Sequence, residues 1–179
     1  MAAIAQRIVL TGAESTGKTT LAGALAEHYR LRWVPEFARE YAATRPGPLT
    51  VDDVEPIARG QLGLETRHRE ATADRALVLD TDLLSTWIYA RFYYGSAPAW
   101  IDEQLRATPA DLYLLCETDL PWIPDPVRDL GERRDEIQAL FKKELARRRL
   151  RFEPVRGIGP ARLAAAIRAV DAIRAPERR

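Results

Sequence analysis

With 179 residues, 46% of them hydrophobic, the chain is long enough to bury a core without disulfides, and its composition argues against disorder. A formal charge of +1 leaves no electrostatic footprint for nucleic acid. The single cysteine, Cys116, has no internal partner, no apolar run reaches the length of a membrane span, and no secretory signal opens the chain. A cytoplasmic protein is expected.

The first apolar run, Gln6–Leu10, reads as a buried strand, and a helical pattern, Lys18–Arg30, follows. Between them lies Gly12-Ala13-Glu14-Ser15-Thr16-Gly17-Lys18-Thr19, a full match to the phosphate-binding loop Gly-x-x-x-x-Gly-Lys-[Ser/Thr]. A strand delivers such a loop, its glycines let backbone N–H groups curl around phosphate, and the helix presents its positive end to the same anion. Gly12 to Thr20 are therefore assigned to ATP. Lys18 is placed to follow the β- and γ-phosphates, and the Thr19 hydroxyl to ligate Mg²⁺.

The second strand, Arg32–Pro35, ends at Glu36, a candidate base for an acceptor hydroxyl or a surface residue opening a helix. A long helix, Val51–Ala73, precedes the third strand, Ala76–Asp80. A carboxylate closing an apolar strand is the usual second half of a Mg²⁺–nucleotide site, so Asp80 joins Thr19 as a metal ligand. Asp82 is either an acceptor ligand or the N-cap of the next helix, Leu83–Tyr94. In that helix Trp87, Tyr89 and Tyr93 are available, with Trp122, as an aromatic wall beside the carboxylates, but ordinary core aromatics are the favoured reading for these three.

The fourth strand, Leu112–Cys116, leads to a Pro- and Gly-rich loop, Pro121–Gly131. A lid-like segment is expected at about 121–134, with Arg128 as a catalytic cation and Arg134 on the ATP side. A helix over Arg133–Leu150, a fifth strand over Pro154–Ile158 and a helix over Arg162–Arg174 complete the chain. Gly157 and Gly159 permit close backbone approach, and they are assigned to adenine.

Apolar strands alternating with helices argue for an α/β fold, a five-stranded parallel sheet with helices on both faces. For Asp80 and Thr19 to share a metal, the third strand must lie beside the first, giving the order 2-3-1-4-5. Residues 1–179 are read as a single P-loop kinase domain.

These motifs resemble the nicotinamide riboside (ribosylnicotinamide) kinase domain of the NadR type, within the P-loop kinase group. The likeness runs in order through Thr11–Leu21, Val34-Pro35-Glu36-Phe37-Ala38-Arg39-Glu40-Tyr41 and Ile57–Gln61. It continues through Asp80-Thr81-Asp82, Ser85-Thr86, Tyr94-Gly95, Pro121-Trp122, Asp125, Arg128 and Pro154–Gly159. It implies ATP- and Mg²⁺-dependent phosphorylation of the ribose 5′-hydroxyl of nicotinamide riboside, giving nicotinamide mononucleotide. It sets Glu36, Arg39 and Asp82 at the acceptor, with Trp122 against its cationic ring. ATP and a small riboside are the expected partners, without nucleic acid or membrane, and a homo-oligomer is left open. Two departures stand out. The family often carries a preceding adenylyltransferase domain, for which 179 residues leave no room. Pro126 also stands where a glycine is expected before Arg128, and fixes φ where glycine would be free. The competing readings are another small-molecule (nucleoside or nucleotide) kinase and a non-catalytic ATP-binding regulatory module.

Overall fold

A computed structural model describes residues 7–72, 76–123 and 131–174. Five strands form one parallel sheet: β1 (Arg7–Thr11), β2 (Arg32–Val34), β3 (Leu77–Asp80), β4 (Leu112–Cys116) and β5 (Phe152–Val155), in the order β2-β3-β1-β4-β5. The register sets Leu10 against Asp80 on one side and Leu114 on the other. The expected sheet order is therefore the observed one.

The alternation of β1 sorts the core into two layers. Ile8 and Leu10 face α1 (Lys18–Tyr29) and α7 (Pro160–Arg174), where Leu21, Leu25, Ala166 and Val170 are buried against them. Val9 faces the other way, into a larger layer with α3 (Val54–Glu70), α4 (Leu83–Tyr94), α5 (Ala99–Ala107) and α6 (Arg134–Arg147). Ile88, Ile101, Phe141 and Leu145 fill that side. Both faces of the sheet are covered, as near-continuous apolar strands require.

Several boundaries differ from the sequence expectation. The chain after β2 turns into a further helix, α2 (Phe37–Ala43), which has no buried residue and so leaves no apolar stripe to detect. The helix α5 buries only Ile101 and Leu105, a pattern too sparse to separate from a loop. The long helix begins after a 3-10 turn at Val51–Asp53, where Asp53 accepts from both the backbone N–H and the hydroxyl of Thr50. The fifth strand lies earlier than 154–158, so that Gly157 and Gly159 fall in the loop beyond it. No helix among the described residues is long and apolar enough to cross a membrane.

Candidate active site

The loop joining β1 to α1 is fixed from below. Gly12 adopts φ 122°, and a Cβ there would lie 2.7 Å from the carbonyl oxygen of Cys116. Only glycine lets the loop sit this close to β4. Gln138 of α6 completes the contact: its Oε1 accepts from Ala13 N–H at 2.9 Å, while its Nε2 donates to Cys116 O at 3.1 Å. Gly17 at φ 74° occupies the N-cap position of α1, leaving the helix N-terminus open toward the loop. Burial pushes the Cys116 thiol beneath it up to about 11, which leaves it an inert core group.

A second clamp comes from Arg162, on the last helix and only 4% exposed. Its guanidinium donates to Thr16 O at 2.8 Å, Glu117 O at 2.9 Å, Gly157 O at 2.9 Å and Asp119 Oδ1 at 2.7 Å. One side chain thus joins the phosphate loop, the end of β4 and the loop after β5. Lys18 donates from Nζ to Gly12 O at 3.0 Å and Ala13 O at 2.6 Å, so the ammonium is held over the loop. Thr19 donates from its hydroxyl to Asp80 Oδ2 at 2.6 Å. The β1–β3 register is what brings that carboxylate to the start of α1.

From the loop a cleft of about 890 Å³ extends between α2, α3 and α4. Glu14 to Thr20 line its phosphate end, while Glu36, Arg39, Gln61, Ser85, Tyr89 and Tyr93 line the other. Glu36 occupies the N-cap position of α2 without capping it through its side chain. The rings of Tyr89 and Tyr93 stack with 18° between planes and centroids 6.3 Å apart. Burial, then the Glu36 and Glu14 carboxylates, hold the Tyr89 phenol well above its ordinary pKa, so it stays protonated. Arg45, also on the cleft, is already paired with Asp53.

The structure brings Glu36, Arg39, Lys18 and Thr19 to one cleft, with Asp80 beneath Thr19. It places other expected residues elsewhere. Asp82 is 1% exposed and accepts from Arg7 at 3.0 Å, from the Tyr113 hydroxyl at 2.8 Å and from Leu84 N–H at 2.9 Å. The capping alternative therefore describes it, and its carboxylate is turned into the core and does not line the cleft. Trp122 is also outside the cleft lining, its indole N–H donating to Glu14 Oε1 at 2.8 Å. The aromatic wall is instead Tyr89 and Tyr93, for which core was the favoured reading, together with Tyr94. Arg134 is buried and donates to Leu120 O at 2.7 Å and Ser15 O at 3.3 Å, bracing the loop from behind. Gly157 and Gly159 lie beyond this cleft, the former with its N–H on Asp119 at 2.7 Å. Arg128 lies outside the described residues.

Sequence reading missed Gln138 and Arg162. Both carry a readable signal, a long polar residue at a core-facing helical position. Arg162 precedes Ala166 and Val170 at steps of four, and Gln138 sits beside Ile137 and Phe141.

An AAA-domain family model (AAA_28) matches residues 7–162. The chain belongs to this AAA-domain family. It is also homologous to NadR. It is 27% identical over 154 residues to the trifunctional NAD biosynthesis/regulator protein NadR of Escherichia coli (strain K12), covering 81% of this chain and 37% of that protein. The chain thus spans less than two-fifths of that relative's length. A crystal structure of NadR in complex with NR superposes with a TM-score of 0.76 at 27% identity, covering 96% of this chain and 50% of that one. Thymidylate kinase from Ehrlichia chaffeensis superposes at 0.65 with 13% identity over 93% of this chain and 97% of that one, which shows a shared P-loop kinase fold alone.

Proposed function

We propose that this member of the AAA-domain family is an ATP-dependent kinase that phosphorylates the ribose 5′-hydroxyl of nicotinamide riboside, giving nicotinamide mononucleotide. The observation that carries the reading is the single cleft in which the Lys18–Thr19–Asp80 group opens onto Glu36, Arg39 and the tyrosine wall. The NadR structure in complex with NR, at a TM-score of 0.76, supports the same acceptor.

Phosphoryl transfer needs in-line placement and neutralised charge more than covalent help from the protein. The backbone N–H groups of the loop and the α1 N-terminus hold the β-phosphate, and Lys18 leaves its carbonyl partners to follow the γ-phosphate. A hydroxyl and a carboxylate 2.6 Å apart are hard oxygen donors, and Mg²⁺ sites of this class take only one or two protein ligands. Thr19 and Asp80 therefore fit the ion. When bound, it would supply counter-charge for the transferring phosphoryl group. Glu36 orients the 5′-hydroxyl and accepts its proton as the bond to phosphorus forms. Arg39 adds positive charge on the acceptor side of the migrating group. The Tyr89 and Tyr93 rings, with the Glu36 and Glu14 carboxylates near Tyr89, suit a flat cationic ring. Gly157, tied to the phosphate loop through Arg162, and Gly159 in the same loop are proposed to meet adenine.

The test is a coupled ADP-release assay with nicotinamide riboside, its acid analogue and common nucleosides. Turnover that is fastest with nicotinamide riboside supports the reading. Preference for another nucleoside replaces the acceptor, and ATP binding with no turnover on any member leaves a regulatory module.

A further inference from the structure

We propose that Gln61 and Ser85 form the recognition end of the acceptor site and take a neutral group bearing a carbonyl oxygen beside an N–H or hydroxyl, such as a carboxamide. The inference rests on the kinase reading only in treating this end of the cleft as the acceptor's.

Gln61 stands on the buried stripe of α3, in line with Val54, Ile57 and Ala58, where an apolar residue would pack without cost. It is 3% exposed, and its Oε1 accepts from Phe37 N–H at 2.8 Å. That bond sets the orientation of the amide, since a backbone N–H cannot face the NH₂ group. Nε2 is therefore the other end, and it has no hydrogen-bond partner among the described residues. Ser85, on the first turn of α4 and 5% exposed, likewise has a hydroxyl with no partner among the described residues. Both residues line the same cleft, with apolar Val54, Ile57 and Ala90 also on its wall.

Two buried polar groups left unpaired on one cavity wall call for a ligand that completes them. Their chemistry narrows its class. The Gln61 NH₂ group only donates, so it needs an oxygen or a ring nitrogen; the Ser85 hydroxyl donates or accepts. A carbonyl oxygen facing Gln61 and an adjacent N–H facing Ser85 satisfy both without introducing charge. Ring stacking on Tyr89 and Tyr93 and this polar pair then divide the work: the rings hold the plane, and the pair fixes its rotation.

Gln61→Glu is the decisive variant, because it keeps the oxygen that Phe37 N–H requires and removes the donor. Acceptor dissociation constants are measured by calorimetry, and KM values where turnover exists. The pair of ligands is nicotinamide riboside and the riboside of unsubstituted pyridine. In the wild type, losing the carboxamide is expected to weaken binding at least tenfold. In Gln61→Glu, measured at about pH 8 so that the carboxylate stays ionised, the two ribosides are expected to bind within about threefold of each other, with the KM for ATP unchanged and the melting temperature lowered by the buried charge. Ser85→Ala is expected to move the same preference in the same direction. An undiminished preference for the carboxamide in Gln61→Glu overturns the proposal, as does a wild type that binds both ribosides equally, an arm that needs no variant to fold. If the wild type binds a different nucleoside instead, the proposed substrate fails, and the same cycle with that nucleoside and its analogue lacking the carbonyl decides the role of Gln61. A wild type that binds no acceptor overturns both.

Discussion

Replacing Arg162 with methionine removes a side chain that has four acceptors and almost no contact with water. Two of them, Thr16 O and Glu117 O, belong to buried hydrogen bonds. Each buried group left unsatisfied costs about 1–3 kcal/mol. Asp119, about a third exposed, regains solvent, so the loss of its ion pair counts for little. The sum is a destabilisation of about 3–5 kcal/mol, within the range for truncating one member of a buried charged network. For a chain of this size that lowers the melting temperature by about 10 °C. Urea unfolding followed by tryptophan fluorescence measures the first quantity, and differential scanning calorimetry the second. Because Thr16 O anchors the phosphate loop, ADP affinity is expected to fall about tenfold in the same variant. Arg162→Lys keeps the charge but not the fork, and should lie between. If Arg162→Met costs less than about 1 kcal/mol, no more than Arg168→Met on the exposed side of α7, the clamp does not hold the loop and the argument fails.

Lys18→Ala is expected to abolish turnover while ADP still binds to the loop backbone, which the ADP-release assay and a calorimetric titration separate. Glu36→Gln should lower kcat by about 10²–10⁴-fold with little change in the KM for ATP, and an unchanged kcat removes Glu36 from the chemistry. Gly60→Ala would place a Cβ 2.0 Å from the Phe37 ring, so the ring and the start of α2 must shift. Overpacking of this kind costs about 1–3 kcal/mol, and here it is expected to raise the acceptor KM while sparing ADP affinity. Burial alone would raise the Asp119 carboxyl, but the Gly157 N–H and the Arg162 guanidinium outweigh it and hold it below the ordinary value. A depressed carboxylate stabilises the fold above its unfolded pKa of about 3.9 and loses that contribution as pH falls through the folded value. The urea midpoint should therefore decline more steeply below about pH 4 in the wild type than in Asp119→Asn.

What could be read in the sequence depended on whether function and packing ask for the same residue. Gly12, Lys18 and Thr19 are legible because their spacing has one dominant chemical meaning, and Asp80 because an apolar strand ends on a charge. The strand order followed from requiring those two halves to meet. The helix α2 entered only as one of two readings of Glu36 because it buries nothing, and the tyrosine wall ranked below core packing because an aromatic on a buried helix has the same signature whether it faces core or cleft. Asp82 and Trp122 failed for a related reason. Their position beyond strand ends was right, but the direction of a side chain depends on partners far away in sequence, Arg7 and Tyr113 for one, Glu14 for the other.

The separation of the two walls of the cleft has an evolutionary consequence. The phosphate side is bound to α6 and α7 through Gln138 and Arg162, whereas the opposite side is built from α2, α3 and α4, with Phe37 resting on Gln61 and Gly60. Substitutions on the second wall need not disturb the first. A lineage carrying this scaffold can drift toward new small molecules by exchanging a few side chains on three helices, while its machinery for handling the triphosphate is inherited intact.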